Sequence, residues 1–159
     1  MPHLFSPLTI RDITLRNRIG VSPMCMYSYE DGMANDWLMV HLGSRAVGGA
    51  ALVISEATAV EARGRITADD LGIWSDEHIA PLAQVTRFLK THGAVAGVQL
   101  AHAGRKASST RPWDGGKPLQ STDPRGWQTV GASPLAFSPE HQTPQELTIE
   151  DIRAVQAAF

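Results

Sequence analysis

The chain has 159 residues, 43% of them apolar, and a formal net charge of −2 from 14 basic and 16 acidic residues. That supports one packed domain rather than a disordered tail, and the lack of any Lys/Arg-rich run argues against nucleic acid or an anionic membrane as a partner. A single cysteine allows neither an internal disulfide nor a cysteine-built zinc site. With no signal-like start and no apolar run near the roughly 20 residues of a membrane span, the expectation is a cytoplasmic protein with a free thiol.

LFSPLTIRDITLRNR, residues 4–18, has short apolar pairs broken by Pro7 and Arg11-Asp12, which suits a small hairpin. Arg18 to Val21 reads as a first buried strand. Asn35 or Asp36 can cap a helix running to about Val47, with Trp37, Val40 and Leu42 as its core stripe and Gly48-Gly49 ending it. Ala50 to Ser55 is a continuous apolar run of strand length, the pattern of a strand buried on both faces. Ser75 or Asp76 opens a second helix carrying Ile79, Leu82, Ala83, Thr86 and Leu89 at helical spacing, with Pro81 in its first turn and Gly93 as its stop. A third strand follows from Ala94 to Leu100.

Residues 103–147 show no sustained period and are rich in glycine and proline, so they read as one long excursion loop. Thr148 then caps a last helix with the stripe Ile149, Ile152, Val155 and Phe159. The alternation of strands and helices is that of an α/β protein with a parallel sheet. Three βα units stand where a closed (β/α)8 barrel needs eight, so the expectation for residues 1–159 is the N-terminal part of a single, longer TIM-barrel domain.

In such architectures ligands bind at the C-terminal ends of the strands. Those ends carry Ser22-Pro23-Met24-Cys25-Met26-Tyr27, Glu56-Ala57-Thr58 and Gln99 to Lys106. The chain has no GxGxxG, GxxxxGK, CxxC or HExxH motif, which removes dinucleotide clamps, Walker sites and zinc sites, and no metal is expected. A glutamine offers one acceptor and two donors, a match for the O=C–N–H edge of a pyrimidine-like ring, and Gln99 is the candidate. Ala57 would let such a ring lie close, and the Cys25 thiol can donate weakly without imposing a charge. These features suggest a flavin more than a nucleotide phosphate. Taken singly, Cys25 reads as a small buried hydrophobe, His41 as a surface or satisfied core residue, and residues 61–70 as a solvated loop with a structural Gly64. His102 stays open between ligand duty and bracing its loop.

SPMCMYS at 22–28, EATAV at 56–60, GRITADDLGIWSDEH at 64–78 and QLAHAGRKA at 99–107 together resemble the Old Yellow Enzyme family, in its bacterial thermophilic-type branch of NADPH dehydrogenases and xenobiotic reductases. The resemblance covers essentially the whole chain. It implies that Ser22, Pro23, Met24 and Cys25 line an FMN ring, that Ala57 and Gln99 also contact it, and that Cys25 tunes its potential rather than attacking substrate. Tyr27 is implied on the substrate side, with Lys106 as part of the pocket wall. The implied activity is that of an ene-reductase: NADPH or NADH reduces FMN, and the reduced flavin passes hydride to an activated alkene in a ping-pong cycle. Full-length relatives are expected to be homo-oligomers. The family's carbonyl-gripping histidine pair and phosphate-binding loops follow later strands, so the alternative is a catalytically incomplete flavin-binding fragment.

Overall fold

The computed structural model describes residue 1 and residues 3–159. A short antiparallel hairpin opens the chain, β1 (Leu8–Ile10) against β2 (Ile13–Leu15), turning at Arg11 in the left-handed region. Three parallel strands follow in the order β3 (Gly20–Val21), β4 (Leu52–Ala59) and β5 (Val95–Ala101). They are linked by two crossover helices, α1 (Asp36–Val47) and α2 (Ile79–Thr91).

Local chemistry explains both helix starts. The Asn35 side chain accepts the Leu38 N–H at 3.2 Å, and Ser75 caps the 3₁₀ turn Asp76–His78 that leads into α2. Gly93 follows α2 at φ +75°, the left-handed conformation that ends helices cheaply. Leu38, Leu42, Ala46, Val53, Val85 and Leu89 form the centre of the core between the helices and the sheet. Arg16, just past the hairpin, ties the far side together. It donates to the carbonyls of Ala46 and Ala50 near the end of α1 and of His92 at the end of α2, at 2.8 to 2.9 Å.

Several expectations change. In α1 the inward stripe is Leu38, Leu42 and Ala46 with His41, whereas Trp37 and Val40 are 47% and 58% exposed. Both stripes have helical spacing, and only the sheet's position selects between them. β3 is shorter than Arg18 to Val21, and β4 runs on through Glu56-Ala57-Thr58, which therefore lie inside the strand. The stretch 103–147 is not structureless. It holds 3₁₀ turns at Gly104–Lys106 and Pro112–Asp114 and a parallel pair, β6 (Val130–Gly131) with β7 (Gln145–Glu146). Its backbone is stitched to residues 64–67 by Ala103 N–H to Gly64 and Ser109 N–H to Ile66. Finally α3 (Ile149–Ala158) has the expected cap, Thr148 with Asp151, but buries none of its residues.

Candidate functional site

The C-terminal edge of the sheet gathers the three segments singled out from sequence. Ser22 and Met24 are exposed there, while Pro23, Cys25 and Tyr27 are half-buried. Ala57 pairs with Gln99 in the β4–β5 register, which sets those two positions side by side. Tyr27 and the Ala57 backbone are the polar neighbours that act to lower the pKa of the Cys25 thiol. Cys25 thus neighbours Tyr27 and Ala57, with Gln99 one strand over from Ala57. Burial pushes the Cys25 thiol up, and Tyr27 and the Ala57 backbone only partly oppose the rise. Burial, with Cys25 next in importance, also pushes the Tyr27 phenol up, so both groups are neutral at pH 7.

Tyr27 sits at φ +46°, a conformation that costs a bulky residue roughly 1–2 kcal/mol. Its ring meets Trp113 edge-on, with centroids 5.9 Å apart. Trp113 is 61% exposed and comes from the excursion segment; Arg111 lies over its ring and bonds Asp114 at 2.7 Å. The Lys106 Nζ lies 4.3 Å from the Phe137 ring centroid, and Tyr27's aromatic neighbour is Trp113. The flexible lysine stem finds a cation–π seat on its own side of the excursion.

The segment 61–70, expected to be solvated, is stapled from within. The buried Asp70 carboxylate accepts the Ile66 and Thr67 N–H groups and the Thr67 hydroxyl at 2.6 to 2.9 Å. Burial still pushes its carboxyl above the usual range. Gly64 is buried beneath the His102 imidazole, which would stand 2.7 Å from any Cβ there. His102 braces this corner, accepting the Gly104 N–H at 3.0 Å and meeting Glu61 at 3.3 Å. Burial works to raise the Glu61 carboxyl, but Arg63 and His102 hold it below its ordinary value. Arg65 lies between the Trp74 and Trp127 rings, 5.2 Å from each centroid.

Sequence reasoning missed Glu56. Its carboxylate accepts the Met26 N–H at 2.8 Å and the Tyr29 hydroxyl at 2.5 Å from within β4. The available signal was an acidic residue directly after an apolar strand run. An open cavity of ≈790 Å³ beside the edge is lined by Tyr29, Arg63, Arg65, Asp69, Arg125 and Trp127, among others, and by none of the expected site residues. Among the described residues, no cluster of three or more His, Cys, Asp or Glu could hold a metal ion, and no helix is long and apolar enough to cross a membrane.

The parallel βα scaffold thus presents a small residue and an amide at its strand ends, with a thiol on the neighbouring loop. Residues 3–159 match the model of the NADH:flavin oxidoreductase / NADH oxidase family, and the chain belongs to that family. It is 47% identical over 158 residues to an NADPH dehydrogenase of Geobacillus sp. (strain WCH70), a match covering 98% of this chain and 42% of the relative. An NADH:flavin oxidoreductase of Gibberella zeae is 40% identical over 159 residues, covering 98% of this chain and 38% of its own. Among solved structures, morphinone reductase superposes with a TM-score of 0.82 at 25% identity, over 99% of this chain and 42% of that one. The Old Yellow Enzyme homologue from Zymomonas mobilis, at 23% identity and a TM-score of 0.79 over 99% of this chain and 43% of its own, shares the fold. The chain thus spans about two fifths of the length of the curated relatives it matches.

Proposed function

We propose that this chain supplies one wall of an FMN-dependent NAD(P)H oxidoreductase site built on the opening βα units of a (β/α)8 barrel. The proposed reaction is that of an ene-reductase, acting on the activated C=C bond of α,β-unsaturated carbonyl compounds or related xenobiotics. The observation that carries the reading is the pairing of Ala57 with Gln99 at the C-terminal ends of two parallel strands, with the half-buried Cys25 on the neighbouring loop.

The donor set fits a flavin ring. Among the described residues, the exposed Gln99 side chain makes no hydrogen bond, so its amide is free to pair with the O=C–N–H edge. Ala57 leaves room for a flat ring against β4, and Ser22, Pro23 and Met24 would flank it. Cys25, held neutral by burial, would tune the ring without adding charge. Bound there, FMN would relay hydride from NADPH or NADH to the alkene. Tyr27, kept protonated, would face the substrate with Trp113 at its back, and Lys106 would belong to the outer wall. The partners on this reading are a small-molecule alkene, a nicotinamide coenzyme and further copies of the complete protein.

Titrating the purified chain into FMN, with visible absorbance and flavin fluorescence as readouts, tests the cofactor assignment. A perturbed flavin band supports it, and Gln99→Ala should weaken that binding about tenfold, as expected for roughly 1–1.5 kcal/mol of lost hydrogen bonding. An unperturbed spectrum at saturating FMN would overturn flavin binding by this chain while leaving its family membership intact.

A further inference from the structure

β4 contains a bulge, and the bulged residue is acidic. Ser55 pairs with Val98 and Ala57 with Gln99, so Glu56 has no partner in β5. The buried positions of β4 slip by one there, from Val53 and Ser55 to Glu56 and Thr58. Bulges next to functional sites re-aim a side chain, and this one turns a carboxylate into the protein. Glu56 is 2% exposed. Among the described residues no Lys, Arg or His lies within ion-pair distance of it.

A buried carboxylate without a cation is costly unless hydrogen bonds compensate. Here two donors do so in part: the Met26 N–H at 2.8 Å and the Tyr29 hydroxyl at 2.5 Å. Both belong to the segment that carries Cys25. A purely structural strap could use a neutral glutamine, whereas an anion also projects a charge onto its neighbours. The titratable groups around it are Cys25, Tyr27 and Tyr29 on the strapped segment and Asp70 beyond β4. Burial is the main cause that keeps thiol and phenol protonated, and the negative charges of Glu56 and Asp70 add smaller contributions in the same direction.

We propose that Glu56 is a positioning residue: from the β4 bulge its carboxylate clamps residues 26–29 and holds a fixed negative charge behind the Cys25 thiol and the Tyr27 hydroxyl. It deepens the flavin reading, because the charge adds to the burial that keeps the thiol beside the ring neutral. The strap and the charge can nevertheless be measured without flavin.

Cys25 is the chain's single cysteine, so the rate of its alkylation by iodoacetamide against pH reports on it alone. The native chain should show a midpoint above the ~8.5 of an ordinary thiol. Glu56→Gln, folded by circular dichroism, should lower that midpoint and raise the rate at pH 8 about threefold or more, half a pH unit or beyond. Glu56→Asp keeps the charge but shortens the strap, so its plateau rate should rise with little change in midpoint. A merely structural role would move plateaus alone. An unchanged midpoint in folded Glu56→Gln overturns the proposal. If that variant does not fold, a native midpoint at or below the ordinary value overturns it instead. FMN titration of the native chain is scored separately, so loss of the flavin reading and loss of the clamp are distinguishable.

Discussion

The helix–sheet body and the loop face above it are held together by different physics. In the body, α1 and α2 close on β4 and β5 through Leu38, Leu42, Val53, Val85 and Leu89, all buried. On the loop face, burial falls to polar side chains: Glu56 straps residues 26–29, Asp70 staples 66–67, and Arg65 lies between two tryptophans. Non-directional apolar contact tolerates neighbours of many shapes, whereas each polar staple needs one partner at one distance. Geometry at the site is therefore set by a few hydrogen bonds, and stability mostly elsewhere.

That contrast can be broken first in the body. Leu38→Ala, at a side chain with no exposure, should cost about 2–5 kcal/mol in urea denaturation through lost burial and the cavity left behind. A smaller loss than that of a loop-face staple would contradict the division. Asp70→Ala strips the acceptor from three donors and should cost roughly 1–3 kcal/mol. Its more telling signature is local, with limited proteolysis cutting between residues 61 and 70 before the body unfolds. Uniform cleavage along the chain would show that the loop face has no separate stability.

Asn35 joins the two regions, since its Oδ1 caps α1 at Leu38 while its Nδ2 donates to the Ser28 carbonyl at 2.8 Å. Asn35→Asp keeps the cap and loses the donor; Asn35→Ala loses both and should cost about 0.5–2 kcal/mol. Comparing the two by thermal melting and by Cys25 alkylation separates helix capping from the anchoring of residues 22–28.

The smallest effects are in pH dependence, where the regions carry opposite signs. Burial, then Arg45, lowers the folded-state pKa of His41 below 6.5, so the unfolded chain binds more protons in the window just beneath that value. Stability from this group is lost as pH falls through that window, and His41→Gln should flatten the loss between pH 7.5 and 5.5. Burial instead raises the Glu56 carboxyl, so there the folded chain binds more protons and stability falls as pH rises above about 4.5. The melting temperature of Glu56→Gln relative to the native chain should therefore rise from pH 4 to pH 7. A parallel pair of profiles would show that the carboxylate is not desolvated.

Much of this was legible in the residues. The hairpin around Arg11-Asp12, the caps at Asn35, Ser75 and Thr148, and the stop at Gly93 all depend on neighbours a few positions away, and each is found where its chemistry put it. The apolar runs likewise fixed three parallel strands, and with them the edge where Cys25, Ala57 and Gln99 lie. Tertiary structure alone decided which stripe of α1 faces inward, because Trp37 with Val40 and Leu38 with Leu42 satisfy the same period until a sheet stands on one side. It alone decided the bulge that sends Glu56 inward to a Met26 N–H 30 positions earlier in the chain, and the seat of Lys106 on Phe137. Periodicity and capping are encoded over one or two turns of chain, but a buried charge finds its donors only after distant segments have been brought together.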